Sequence, residues 1–374
     1  MRIFYWQSSK AQEGNFGDDL NAWLWDALMP GDWPRNDDVM LAGVGTVLTR
    51  QLPPAKRLLI LGSGAGYGEL PQAVFQAHCH CYGVRGPLTA ALLELDDRKV
   101  LADPAILIPE VFDVPPLSPL DRPVVFVPHL DSARRSDWAS VCQLAGVSLV
   151  DPRHESKEVI RQLARARLVL AESMHAAIIA DAYRVPWIPV WSSCEINKFK
   201  WADWALAVGA RVIPESIAPP SRVAWLDNRF AARAQADLAL VPGLDFTLGL
   251  SISQALGDIR ARQALSRDPK ARKRKERYLR LRRKLLVPAM KMLGNHPDAM
   301  LQQCAEQLNR LAERQGYLSD DQQLHFARER LYVAVEALKA DRRDGFSQQG
   351  KVRSLRLTQS QMKRQPVQVS YKHS

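Results

Sequence analysis

Short apolar runs alternate with segments that have helical periodicity along the chain as far as residue 190. Runs of about four apolar residues are typical of buried strands, whereas apolar positions three and four residues apart are typical of helices. The apolar runs predict strands at 3–6, 39–42, 58–61, 124–127, 147–150, 168–171 and 187–190. Such alternation predicts parallel strands with right-handed crossovers, so the sequence indicates an α/β protein.

A proline-rich segment, residues 109–123, divides this pattern into two halves. We predict an N-terminal Rossmann-like lobe at 1–115 and a C-terminal Rossmann-like lobe at 116–215. A helical, basic extension at 216–345 and a disordered tail at 346–374 complete the predicted organisation. The cleft between the two lobes is the expected active site.

The stretch 167–191 carries the first candidate residues. A predicted strand ends at residue 171, Glu172 and Ser173 follow it, and His175 lies in the first turn of the next helix. Ligands of open α/β sheets bind at the carboxyl ends of the strands. A core histidine bonded to a backbone carbonyl is the alternative, but the location favours a functional histidine.

Glycine-containing loops follow the predicted strands of the first half. One of them holds Asn15, Gly17 and Asp18 ahead of a predicted helix at 20–28, and another holds Gly62 and Ser63. Backbone N–H groups in such loops can approach an anion. An ordinary tight turn with a helix cap is an equally simple interpretation of the first loop.

Basic side chains lie near two further strand ends. Arg85 precedes a predicted helix with proline near its first position, where a guanidinium can bind a carboxylate or a phosphate with two hydrogen bonds. A surface arginine is the alternative. Lys198 and Lys200 alternate with aromatic residues, which suits an anion beside a sugar or, equally, a half-buried amphipathic segment.

Composition narrows the class of protein. The chain has 374 residues, 47% of them hydrophobic and 24% charged, as in ordinary globular proteins. Five cysteines, an odd number, argue against a disulfide framework, and no apolar run approaches membrane-spanning length. We therefore expect a cytoplasmic protein. The tract at 78–81, His-Cys-His-Cys, is not expected to bind a metal, because alternate side chains of a strand point to opposite faces.

The net charge of +11 is concentrated in the C-terminal third, where residues 270–284 form a dense basic run. Nucleic acid, an anionic membrane surface and a solvated helix are the three interpretations. Aromatic residues are scarce in the run and no nucleic-acid motif is recognisable, which favours the membrane surface, at the inner face of the cytoplasmic membrane. Residues 301–338 predict two helices with a break near Gly316, through which the protein could form a homodimer.

Four motifs, in this order and spacing, resemble the polysaccharide pyruvyl transferase family. They are Asn-Phe-Gly-Asp at 15–18, Val-Arg-Gly-Pro-Leu-Thr at 84–89, Ala-Asp-Pro-Ala at 102–105, and Glu-Ser-Met-His-Ala-Ala-Ile at 172–178 followed by Val-Pro at 185–186. The resemblance covers roughly residues 1–210. It implies a fold like the two-lobed GT-B glycosyltransferases. One position departs from the family, since many members have arginine where this chain has Ser173.

The resemblance also implies an activity: transfer of the pyruvyl group of phosphoenolpyruvate to a sugar, which forms a pyruvate ketal and releases phosphate. No cofactor is expected beyond phosphoenolpyruvate as the donor substrate. The acceptor would be a sugar residue of a polysaccharide or of a lipid-linked oligosaccharide. The alternatives are a nucleotide-sugar glycosyltransferase of GT-B type in exopolysaccharide synthesis and a non-catalytic module recruited to a membrane.

This chemistry needs positive groups and N–H donors for a doubly anionic donor, with one acid and one base. We expect His175 to act in acid–base catalysis or to contact the phosphate, and Asp18 or Glu172 to orient or deprotonate the acceptor. The expected substrate-binding residues are Asn15, Gly17, Gly62, Ser63, Arg85, Ser173, Lys198 and Lys200.

Overall fold

The computed structural model describes most of both predicted lobes. The described residues are 1–7, 13–31, 38–49, 51–66, 70–76, 78–193, 196–210, 212–222, 224–226, 228–229 and 298–343, with the single positions 273, 277 and 280. The predicted tail at 346–374 lies outside them. The predicted basic run at 270–284 also lies outside them, apart from the three single positions, which are exposed.

The N-terminal lobe is built on a four-stranded parallel sheet of order β1-β2-β3-β4. Its strands are β1 (Arg2–Phe4), β2 (Val39–Ala42), β3 (Arg57–Leu61) and β4 (Cys79–Gly83). Its helices are α1 (Phe16–Asp19), α2 (Leu24–Leu28), α3 (Pro87–Leu92) and α4 (Ile108–Val111). Short 3₁₀ turns lie at Leu20–Ala22, Gln72–Phe75, Asp97–Lys99, Pro104–Leu107 and Pro119–Asp121.

The C-terminal lobe is built on a five-stranded parallel sheet of order β6-β5-β7-β8-β9. Its strands are β5 (Val124–Val127), β6 (Ser148–Leu149), β7 (Leu168–Ala171), β8 (Trp187–Trp191) and β9 (Glu215–Ser216). Its helices are α5 (Leu130–Ala133), α6 (Trp138–Ala145), α7 (Ser156–Ala164), α8 (Met174–Ala182) and α9 (Lys198–Val208). Two later helices are α10 (Asp298–Ala312) and α11 (Asp321–Arg343).

The predicted α/β class with parallel strands is confirmed, and each predicted strand coincides with an observed strand or overlaps it. The likeness to GT-B enzymes stays a prediction. The helix predicted at 20–28 is wrong in its continuity, because the helical segment begins at Phe16 and breaks at Trp23. Asn21 explains this break: its side chain donates to the Val44 carbonyl and accepts from the Val44 amide, which ties the segment to the loop after β2.

The two faces of the C-terminal sheet bury alternate residues of β5 and β7 in different cores. Val125, Val127 and Val169 pack in a core shared with the N-terminal lobe, whereas Phe126 and Leu170 pack in a second core on the other face. A parallel sheet covered on both faces needs strands that are apolar throughout, which is why these strands are uninterrupted apolar runs. The shared core joins the lobes.

The two C-terminal helices cover both lobes. Helix α10 completes the second core with Cys304, Ala305 and Leu308. Helix α11 contributes Leu331 to the shared core, and its Asp341 accepts a hydrogen bond of 2.6 Å from the Tyr82 hydroxyl on β4. The two predicted helices with a break near residue 316 are confirmed. Within the described ranges, no helix is both long enough and apolar enough to cross a membrane.

Candidate active site

A cavity of about 650 Å³ lies where the carboxyl ends of the two sheets face each other. In parallel α/β proteins this edge is the usual ligand site, because the strand-to-helix loops converge there. The N-terminal lobe lines it with Phe4, Trp6, Asn15, Asp18, Thr46, Val47, Thr49 and Gln51. The C-terminal lobe lines it with His129, Leu130, Asp131, Arg134, Pro152, Ser173, Met174, His175 and Lys200.

His175 lies at the wall of this cavity, in the first turn of α8 directly after β7. Its ring packs so closely on Gly17 of α1 that a β-carbon at Gly17 would overlap Nδ1. Its Nε2 lies 3.9 Å from Oδ2 of the buried Asp103, and neither atom has a hydrogen-bond partner. The ring is therefore held between α1 and the start of the 3₁₀ turn that Asp103 caps.

The surroundings of His175 favour its neutral form. Burial, followed by the positive charges of Lys200 and Arg85, lowers the pKa of His175 to about 3. Burial raises the pKa of Asp103 to about 6, against the opposing effect of Arg85. Near neutral pH the imidazole is therefore uncharged in the protein without substrate, and a bound dianion would favour its protonation.

Asp18 of α1 also lines the cavity, and its side chain is partly exposed. The Asn15 side-chain amide donates a hydrogen bond to its carboxyl group. Burial by the cavity walls raises the pKa of Asp18 to about 7, although the positive charge of Lys200 acts in the opposite direction. A carboxyl group with a pKa near 7 exists in both protonation states at neutral pH, which suits general acid–base catalysis.

The structure separates the two candidate lysines. Lys200 lines the cavity, and its charge lowers the pKa of both His175 and His129. Lys198 does not line the cavity, and its ammonium group lies 5.3 Å from the ring centre of Trp191. Of the two, Lys200 is the one placed to meet a ligand.

Arg85 lies behind the cavity wall and is completely buried. Its guanidinium donates to Asp203 of α9 and to the Ala65 carbonyl, and its Nη1 donates to the Thr46 hydroxyl at 2.6 Å. Asp203 also accepts from the amide and hydroxyl of Thr89 in α3. This arginine therefore joins α9 to the N-terminal lobe and reaches the cavity at Thr46, which lines it.

Three further predicted residues lie outside the cavity lining. Glu172 is buried and accepts hydrogen bonds from the His129 amide and from the amide and hydroxyl of Ser192, so it joins the ends of β5, β7 and β8. Burial raises its pKa. Ser63 donates to the Gly45 carbonyl at 3.3 Å, and the neighbouring Gly62 packs under Pro104. Asn15 and Ser173, by contrast, line the cavity.

Sequence reasoning missed His129, Arg134 and Thr46, which line the cavity, and did not select Asp103, which lies behind His175. His129 comes two residues after β5, so the strand-end argument that selected His175 could have found it. Its pKa is lowered to about 4, by burial first and then by Lys200. The sequence carries no comparable indication for Arg134, which depends on how the lobes meet.

Comparison with known proteins gives a family match and a relative of this chain. The sequence model of the polysaccharide pyruvyl transferase family matches residues 50–193, which include Arg85, Asp103 and His175. The succinoglycan biosynthesis protein ExoV of Rhizobium meliloti (strain 1021) is 44% identical over 223 residues, which are 59% of this chain and 69% of the relative. No solved structure matches the chain significantly. On the family match and on this relative, the chain belongs to the polysaccharide pyruvyl transferase family.

Proposed function

We propose that this protein transfers the pyruvyl group of phosphoenolpyruvate to a sugar residue of an exopolysaccharide or its lipid-linked precursor, forming a pyruvate ketal and releasing phosphate. Membership of the family supports pyruvyl transfer, and the similarity to a succinoglycan biosynthesis protein supports a role in exopolysaccharide synthesis. The observation that carries the proposal is the convergence of Asp18, His175 and Lys200 on one cavity between the lobes.

The donor fits the positively charged part of the cavity. Phosphoenolpyruvate has a phosphate and a carboxylate, which need cations and hydrogen-bond donors. Lys200 supplies a cation at the lining. Arg85 adds a buried positive charge behind Thr46. Its Nη1 carries two N–H groups, and among the described residues only Thr46 accepts a hydrogen bond from it. His175, Ser173 and Asn15 supply further polar groups at the same wall.

The reaction then proceeds by addition and elimination at C2 of the donor. Protonated Asp18 gives its proton to the methylene carbon C3, and a sugar hydroxyl attacks the cationic C2 and returns its proton to the Asp18 carboxylate. The C2–O bond to phosphate then breaks, and the electron pair leaves with the phosphate. A second hydroxyl of the same sugar attacks C2, closes the ketal ring and passes its proton to the phosphate.

His175 assists the departure of phosphate in this scheme. The ring is neutral without substrate, and the approach of a dianion raises its affinity for a proton. The buried Asp103 behind Nε2 stabilises the protonated ring, since an opposite charge at this distance favours the charged form of an imidazole. The imidazolium can then stabilise the leaving phosphate.

The experiment is an assay of phosphate release from phosphoenolpyruvate with an oligosaccharide acceptor isolated from an exopolysaccharide-producing strain that lacks ketal groups. His175→Ala should lower the rate about 100-fold or more, because the stabilisation of the leaving phosphate is lost. His325→Ala, at an exposed histidine of α11, is the matched control and should keep full activity. Turnover of nucleotide sugars in place of phosphoenolpyruvate by the wild-type protein would refute the proposal.

The basic run at 270–284 adds a proposal about location. A cluster of lysines and arginines binds anionic lipid surfaces, with roughly 1 kcal/mol for each cation near the surface. Held there, the protein would lie next to lipid-linked acceptors. The three described positions of the run, Lys273, Arg277 and Arg280, are exposed, as this requires.

A further inference from the structure

Two parts of the cavity differ in chemistry. Asp18, His175, His129 and Lys200 form a titratable part, in which the charge of Lys200, in addition to burial, acts on the pKa of the other three side chains. Phe4, the last residue of β1, and Trp6, two residues after it, form an aromatic wall of the same cavity. Arg134 lies 6.0 Å from the ring centre of Trp6. The proposed donor needs only the titratable part, so the aromatic wall remains for another ligand.

Packing in a hydrophobic core does not explain the position of the Trp6 side chain. Phe4 packs against the core shared by the lobes, whereas Trp6 belongs to none of the hydrophobic cores of the described residues. The indole ring is partly exposed, and its N–H has no hydrogen-bond partner within the described part of the chain. Large aromatic side chains are usually buried or used in recognition, and an indole N–H in a pocket usually finds an acceptor.

Arg134 is held in place beside Trp6 from both lobes. Its Nε and Nη2 donate to Glu13 at 2.8 and 3.0 Å, and its Nη1 donates to Asp131 at 3.2 Å. A two-point bond to a carboxylate fixes the plane of a guanidinium. The arginine therefore gives the aromatic wall a rigid polar edge, which continues with Thr49 and Gln51 at the cavity lining.

We propose that the aromatic wall of Phe4 and Trp6, together with Arg134 at its polar edge, is the acceptor subsite and that it binds one hexopyranose ring of an oligosaccharide. A pyranose has an apolar face of C–H groups and a rim of hydroxyls. The apolar face packs on the indole of Trp6, and the hydroxyls meet the indole N–H and the polar edge. The opposite rim, with two hydroxyls, then points towards Asp18. The identification of the ligand as a sugar rests on the proposed function.

Two measurements test the subsite. Saturation-transfer NMR of the methyl glycosides of glucose, galactose and mannose, without phosphoenolpyruvate, measures binding independently of turnover. We expect transfer from the wild-type protein to at least one glycoside, strongest for the protons of one ring face, and its loss in Trp6→Ala. In the phosphate-release assay, Trp6→Ala should raise the acceptor KM about tenfold while the phosphoenolpyruvate KM stays within twofold.

Three further variants serve as controls or replacements in these measurements. Trp6→Phe keeps an aromatic face and should retain most of the binding, and Trp6→Leu replaces the alanine variant if that variant does not fold. Trp225→Ala, at an exposed tryptophan outside the cavity lining, is the matched control and should behave as wild type. Circular dichroism checks that each variant is folded.

The outcomes separate the two proposals. Glycoside binding that depends on Trp6, without any turnover of phosphoenolpyruvate by the wild-type protein, would support the subsite and refute the proposed function. Turnover with an acceptor KM and saturation transfer that are unchanged in Trp6→Ala would overturn the subsite and leave the proposed function in place. The absence of saturation transfer from the wild-type protein to every glycoside would also overturn the subsite.

Discussion

At the scale of single residues, the proposed chemistry depends on the pKa of Asp18. A carboxyl group in water has lost its proton far below neutral pH and cannot protonate carbon at pH 7. The cavity walls remove water from Asp18 and raise its pKa to about 7, so that a large fraction is protonated at neutral pH. The neighbouring Lys200 acts against this shift. Burial first, and then the charge of Lys200, lowers the pKa of His175 and keeps its ring neutral.

The raised pKa of Asp18 predicts the pH dependence of the reaction. If protonated Asp18 is the acid, kcat/KM should fall about tenfold per pH unit above an apparent pKa near 7, because the raised pKa marks where the proton is lost. Asp18→Asn should lower the rate about 100-fold and abolish this alkaline decline. Asp131→Asn, which changes another carboxyl group of the cavity lining, should keep the decline. The pH profile of phosphate release measures all three, and an unchanged decline in Asp18→Asn would exclude Asp18 as the acid.

Some of these residues could be predicted because they follow a recognisable strand. Others could not, because their contacts join distant parts of the chain. His175 follows an uninterrupted apolar strand, and a strand end is visible in the sequence. The contact between His175 and Asp103 joins residues of different lobes, and no local pattern encodes it. The predicted strand-end arginine, Arg85, is at the expected place, but its bond to Asp203 depends on how α9 packs against α3.

At the scale of elements, the close packing of α1 on α8 positions the histidine. Helix α1 presents Gly17 to the ring of His175, and the Phe16 amide donates to the Pro152 carbonyl of the other lobe at 3.0 Å. Glycine in a helix costs roughly 1 kcal/mol relative to alanine. Here the missing side chain leaves room for the imidazole. Gly17 therefore lowers the helix propensity of α1 but allows the His175 ring to pack in one position.

Gly17→Ala should therefore reduce activity although alanine favours helices. The new methyl group would overlap Nδ1 of His175 and push the ring out of position. A displacement of about 1 Å in a catalytic group can cost about 100-fold in rate, so we expect a loss of kcat of that order.

The matched control is Gly146→Ala, at the C-terminal end of α6. Gly146 has φ +68 and no neighbouring atom within 4 Å of an added β-carbon, so alanine there should cost about 1 kcal/mol of stability without loss of activity. Thermal unfolding and the phosphate-release assay distinguish the two effects. Full activity in Gly17→Ala would show that α1 does not set the position of His175.

The strand pattern was predictable at this scale because strands buried on both faces are continuous apolar runs. The break between α1 and α2 was not, because it depends on Asn21 and its bonds to Val44 in a different loop. Local propensity alone favoured one continuous helix, and a long-range pair of hydrogen bonds overrides it.

At the scale of the whole molecule, the C-terminal helices belong to the packed body of the protein. Helix α10 buries Leu308 against the second core, and α11 buries Leu331 in the core that joins the lobes. Asp181 of α8 accepts from the Trp187 indole and from the Ser319 amide and hydroxyl, which fixes the start of α11. The sequence predicted the helices, but their place across both lobes required long-range contacts that periodicity does not encode.

The role of the basic run can therefore be tested by changing charges and not by removing the C-terminal third. A deletion of residues 265–374 would expose both cores and should prevent folding. The variant Lys273→Gln/Arg277→Gln/Arg280→Gln removes three exposed cations instead. If each contributes roughly 1 kcal/mol at an anionic surface, affinity for phosphatidylglycerol vesicles should fall about 100-fold, as measured by cosedimentation at low salt.

Turnover of a soluble acceptor by this variant should stay within twofold of wild type, because the three cations lie outside the cavity lining. Vesicles of phosphatidylcholine alone, which carry no net charge, are the control and should bind neither protein. Raising the salt concentration should release the wild-type protein from anionic vesicles, since salt screens exposed charges. Equal binding of the variant and the wild-type protein to anionic vesicles at every salt concentration would refute membrane recruitment through these positions and leave the proposed chemistry of the cavity unaffected.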